Sequence, residues 1–70
     1  MITVYSKENC SQCDQAKLIL DMKGAEYEVK MLDTDFTIED AKALGRTSFP
    51  IVTYGDTMIG GVLELRKFLK

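Results

Sequence analysis

The pair Cys10 and Cys13, in the run Cys10-Ser11-Gln12-Cys13, constrains this chain most, because these are its only cysteines and they fall at a change of local structure. Before them, Ile2-Thr3-Val4-Tyr5 is short, apolar and β-branched, the composition of a strand. After them, Asp14 to Lys23 reads as an amphipathic helix. Cys13, Ala16 and Leu20 share one face with Ile19 beside them, while Asp14, Lys17 and Asp21 point elsewhere. Gly24 supplies a left-handed stop. The pair therefore sits where a strand hands over to a helix, with Cys10 at or just before the helix start. That spacing lets the sulfurs meet at disulfide distance when the backbone between them begins a helix. Unpaired N–H groups and the helix dipole favour a thiolate there. The thiolate is the reactive form of cysteine, and a nearby second thiol can resolve whatever the first attacks. These residues imply redox chemistry.

With 70 residues the chain is expected to form one domain over 1–70, near the lower limit for a self-sufficient core. Its 46% apolar content suits a compact fold. No apolar run approaches the roughly 20 residues of a membrane span. The first residues, Met1-Ile2-Thr3-Val4-Tyr5-Ser6-Lys7, lack the basic region and apolar stretch of a signal peptide. A cytoplasmic protein with no membrane partner is expected, and in that compartment a lone cysteine pair is more often catalytic or metal-binding than structural. The net charge of −2 comes from interspersed signs with no basic stripe, so no nucleic-acid partner is expected. A purely structural staple is a poor use of the pair, since a loop this short gives only about 2 kcal/mol. A zinc site needs four ligands, and a chain without histidine offers two thiolates and scattered carboxylates.

Further along, Glu26 to Met31 alternates, with Tyr27, Val29 and Met31 on one side, as in a strand with one wet face at a sheet edge. Asp33-Thr34-Asp35 makes a turn, and Thr37 followed by Asp40 resembles a capping box. That box predicts a short helix with Ile38, Ala41 and Leu44 inward, closed by Gly45. Ile51 to Tyr54 shows little alternation and reads as a more buried strand. Gly55-Asp56 turns the chain into a short strand over Thr57-Met58-Ile59. Gly60-Gly61 precedes a last helix with Val62, Leu65 and Leu69 inward. The order is β-α-β-α-β-β-α. Strand order does not follow from periodicity alone. The aromatic residues Tyr5, Tyr27, Phe36, Tyr54 and Phe68 read as packing residues, and Arg46 as either an attractor of anions or a solvated surface group.

At three places the chain resembles glutaredoxins and glutaredoxin-like redoxins: Tyr5 to Cys13 followed by Ala16-Lys17, Gly45 to Pro50, and Ile59-Gly60-Gly61. The resemblance covers nearly the whole chain, in order and at matching spacing. It implies a thioredoxin-like α/β fold, a four-stranded mixed sheet flanked by three helices, with a cis bond between Phe49 and Pro50. It implies a dithiol–disulfide oxidoreductase with Cys10 as nucleophile and Cys13 as resolving thiol. No metal or organic cofactor is required, and glutathione is the expected co-substrate, held by Lys7, Gln12, Phe49, Pro50, Gly61 and Val62. In this picture the N–H groups at the start of the last helix are free to receive a carboxylate. Disulfide-containing proteins or glutathione mixed disulfides are the expected substrates, ribonucleotide reductase being common in the family, and a monomer is expected.

At three places the chain departs from the family pattern. Ser11-Gln12 replaces the usual Pro-Tyr, and Phe49 stands where a smaller Val is usual. Val62 and Leu63 stand where a small residue and then an Asp commonly hold the γ-glutamyl end of glutathione. The polar pair between the cysteines also resembles glutaredoxin-like donors of ribonucleotide reductase that are recharged by thioredoxin reductase. A third alternative is an iron–sulfur cluster shared by two copies, with the first cysteine and glutathione as ligands.

Overall fold

A computed structural model describes all residues from Met1 to Lys70. The elements are β1 (Ile2–Ser6), α1 (Ser11–Met22), β2 (Tyr27–Met31), α2 (Ile38–Ala43), β3 (Ile51–Tyr54), β4 (Thr57–Gly60) and α3 (Val62–Phe68). They build one mixed sheet in the order β2-β1-β3-β4. β1 runs parallel to β2 and antiparallel to β3, and β3 pairs antiparallel with β4. This is the thioredoxin-like arrangement that the resemblance implies.

Two small cores lie on opposite faces of the sheet. Ile2, Val4 and Val52 meet Ala16 and Leu20 of α1 and Leu65 of α3 on one face. Ile51 meets Phe36 and Ala41 on the other, with Tyr5, Leu44, Phe49 and Met58 packed around them. Neighbouring residues Ile51 and Val52 thus feed different cores. A strand covered on both faces has no reason to alternate in polarity, which explains the unbroken apolar run. β2 lies at the sheet edge, as its alternation predicts.

α1 starts at Ser11, earlier than the periodicity suggests, because apolar spacing is silent over the solvated residues Ser11 and Gln12. It stops where Gly24 takes a left-handed φ of 66°. The Thr37–Asp40 capping box forms, the Asp40 N–H donating to Thr37 Oγ1 at 3.2 Å and the Thr37 N–H to Asp40 Oδ2 at 3.0 Å. Ile38 is 39% exposed rather than inward. In a six-residue helix only the middle of the inner face, Ala41, reaches the core. Tyr54 and Phe68 are also half-exposed and pack on each other, ring centroids 5.6 Å apart, outside both cores.

The end of α1 is tied to the edge strand by Tyr27, whose hydroxyl donates to Asp21 Oδ1 at 2.7 Å. That hydrogen bond comes first, and desolvation second, among the causes that raise the Tyr27 pKa above 10.0. The neutral phenol is the donor, so the contact is present below the unfolded value and is lost as pH rises through the raised one. Asp21→Asn should bring the Tyr27 transition down, read by ultraviolet absorbance in an alkaline titration. Leu20→Ala, at a site with 0% exposure, should lower the unfolding free energy in a denaturant titration by about 3 kcal/mol.

Candidate active site

The antiparallel pairing Tyr5↔Ile51 sets the exit of β1 beside the entry of β3. Cys10 follows that exit and Pro50 precedes that entry, so strand pairing alone brings the two segments to one end of the sheet. β4 joins them through the pairing Val52↔Gly60. The next rung is Thr53↔Met58, so Ile59 is an extra residue. This bulge re-aims the strand just before Gly60-Gly61. The Phe49–Pro50 peptide is cis, as the resemblance implies.

Asn9 enters the site with a left-handed φ of 56°, a conformation asparagine tolerates better than most residues. Cys10 then takes extended angles, φ −117° and ψ 101°, and acts as the N-cap of α1. The Cys13 N–H donates to Cys10 Sγ at 3.2 Å. A cysteine thus does what Ser, Thr or Asp usually do at a helix start, and the same donor steadies negative charge on the sulfur when the pair is open. The two sulfurs are joined in a disulfide, with Cα atoms 5.3 Å apart. Their settings differ sharply. Cys10 is half-buried, whereas Cys13 is 1% exposed on the inner face of α1.

Around the pair, Lys7 places its Nζ 5.6 Å from the centre of the Phe49 ring, a cation–π contact on the rim. Lys7 itself is exposed, Phe49 half-buried and Pro50 buried. The Pro50 carbonyl oxygen lies 3.8 Å from where a Cβ on Gly61 would stand. Lys7, Phe49, Pro50 and Gly61 therefore gather at the same end of the sheet as the cysteines. Gln12 is exposed on the first turn of α1. Val62, the first residue of α3, is half-buried and packs against the core that α1 and α3 share. A shallow groove lined by Lys7, Glu8, Leu32, Asp33 and Thr34 opens next to the Cys10 loop.

The start of α3 is less open than the sequence suggests. The Gly61 N–H donates to Glu64 Oε1 at 2.8 Å, so the chain's own carboxylate occupies this donor. Glu64 also crowds Gly60, where any Cβ would fall 2.7 Å from its Oε1. Arg46 reaches the same carboxylate at 3.8 Å. The signal was present in the sequence, since Glu64 holds the third helical position that a capping box uses, with glycine in place of the usual hydroxyl residue.

The glutaredoxin family model matches residues 2–59. The chain is 38% identical over 68 residues to a hybrid peroxiredoxin, hyPrx5, of Haemophilus influenzae, covering 96% of this chain but 28% of that protein. It is 33% identical over 61 residues to the glutaredoxin-like protein NrdH of Salmonella typhimurium, covering 86% of this chain and 75% of that one. A buckwheat glutaredoxin solved in complex with glutathione superposes with a TM-score of 0.77 at 29% identity, covering 94% of this chain and 64% of that one.

The contrast in exposure predicts which sulfur meets a reagent first. After reduction, one equivalent of iodoacetamide should label Cys10 and leave Cys13 unmodified, as mapped by peptide mass spectrometry. Preferential labelling of Cys13 would show that the buried position is not what limits access.

Proposed function

This chain belongs to the glutaredoxin family, and we propose that it is a thiol–disulfide oxidoreductase in which Cys10 attacks and Cys13 resolves. The observation that carries the reading is the unequal setting of the pair: Cys10 is the half-buried N-cap of α1, and Cys13 is sealed on its inner face.

In the reduced protein the Cys10 thiolate attacks a substrate disulfide R–S–S–R′. The bond between Cys10 Sγ and the sulfur of R forms as the S–S bond breaks, and R′–S⁻ leaves and takes a proton. Cys13, as thiolate, then attacks Cys10 Sγ. The mixed disulfide breaks, R–S⁻ departs and is protonated, and the Cys10–Cys13 disulfide remains. Two electrons have passed to the substrate, and two external thiols restore the pair. Extreme acidity of Cys10 is unnecessary, because nucleophilicity falls along with thiol pKa.

Glutathione is the co-substrate we propose, lying along the Phe49–Pro50 segment with Lys7 and Gln12 toward its carboxylate ends and Gly61 and Val62 at the far side. The Lys7 ammonium at the rim supports this, since it can pair with a carboxylate. The likeness to a buckwheat glutaredoxin solved with glutathione supports it as well. Protein disulfides, that of ribonucleotide reductase among them, and glutathione mixed disulfides are the proposed substrates, and the protein is proposed to act as a monomer in the cytoplasm. The polar pair Ser11-Gln12 and the likeness to a glutaredoxin-like NrdH protein favour a second reading of the reductant, recharging by thioredoxin reductase.

Reduction of insulin, recharged in parallel by glutathione with glutathione reductase and by thioredoxin reductase, each with NADPH, separates the two. The proposal expects glutathione-driven turnover, and Cys10→Ser should reduce it to background. Turnover with thioredoxin reductase alone would replace glutathione by the second reading, and silence with both would contradict the oxidoreductase assignment.

A further inference from the structure

The segment that presents Pro50 to the site is tied down by side chains alone. It links α2 to β3, and no backbone–backbone hydrogen bond involves residues 46–50. At its far end Phe49 tilts onto Phe36, ring centroids 6.0 Å apart, and Pro50 is buried. At its near end Arg46 crosses to α3. Its Nη1 lies 3.8 Å from Glu64 Oε1, an oxygen that also accepts the Gly61 N–H at 2.8 Å. Its Nη2 lies 3.3 Å from where a Cβ on Gly61 would stand. Arg46 makes no other ion pair, and its Nε is buried without a hydrogen-bond partner. One carboxylate thus gathers the loop before Pro50, the turn after β4 and the first turn of α3. The glycine pair makes room for it. A Cβ on Gly60 would meet the Oε1, Cγ and Cβ of Glu64 at 2.7, 2.8 and 2.9 Å.

We propose that Arg46 and Glu64 are positioning residues that clamp the Phe49–Pro50 segment against the Gly60-Gly61 turn and so set the width of the groove beside Cys10. The inference rests on the oxidoreductase reading given above. A groove wall that is already ordered spares an incoming ligand the entropy of ordering it, which lowers KM. The clamp touches neither sulfur, so the chemical step is left as it is. In this chain the two glycines therefore serve an internal contact, and Arg46 is neither a free anion attractor nor a solvated surface group.

The test is a double-mutant cycle read in the KM and kcat of turnover of a mixed disulfide between glutathione and a cysteine-containing peptide. Glu64→Gln keeps an oxygen for the Gly61 N–H and removes only the charge, so the fold survives. Arg46→Met removes the other partner. Each should raise KM about threefold with kcat unchanged, the scale of a half-exposed ion pair, and the double variant should raise it no further. Unchanged KM in either variant, additive effects, or a fall in kcat alone would each overturn the proposal. Opposite signs, with Glu64→Gln lowering KM, would overturn it by showing that Arg46 meets the ligand directly and is restrained by Glu64. Limited trypsin digestion supplies a readout without activity. Glu64→Gln should speed cleavage after Arg46 and leave cleavage after Lys7 and Lys30 unchanged, whereas equal acceleration at all three would mean general loosening and no clamp. A wild-type protein that turns over no disulfide would contradict the oxidoreductase reading itself, and the digestion would still decide whether the clamp holds the loop.

Discussion

The antiparallel pairing of β1 with β3 is the constraint on which the site depends. Each strand contributes one functional segment by its polarity alone: β1 ends just before Cys10, and β3 begins just after Pro50. Antiparallel strands put the exit of one beside the entry of the other, so the register Tyr5↔Ile51 is enough to juxtapose the loops. Shifting it by one residue would exchange the faces of Val4 and Tyr5 and empty both cores at once. The packing that stabilises the domain is thus the same packing that assembles its chemistry.

The two sulfurs then acquire different roles from one helix. Being the N-cap turns Cys10 outward, toward solvent and toward the helix donors. Three residues later Cys13 faces the sheet, in line with Ala16 and Leu20. No charged partner contacts either sulfur in the structure, so the asymmetry is one of burial and backbone hydrogen bonding. Small domains have few side chains to spare for tuning a reactive group, and a backbone N–H at a helix start costs none.

Much of this was legible in the sequence, for identifiable reasons. The strand–Cys–helix junction, the Thr37–Asp40 box and the inward row of α1 are local, and local signals survive the absence of tertiary information. The cis-proline segment and the glycine pair became readable through family resemblance rather than through periodicity. What escaped was non-local or polar. Strand order required the register. The exposure of Ile38 required knowing how little of α2 the sheet meets. The Glu64 bond to Gly61 lay within reach of capping logic, but the expectation of open donors at α3 hid it.

Mapping of mixed disulfides in two single-cysteine variants incubated with one disulfide substrate separates the attacking thiol from the resolving one. Cys13→Ser should accumulate a substrate adduct on Cys10, visible by intact mass and located by peptide mapping. Cys10→Ser, left with the buried sulfur alone, should accumulate none. An adduct on Cys13 in the second variant, with none in the first, would reverse the assignment of attacking and resolving thiol and contradict the account given for the pair.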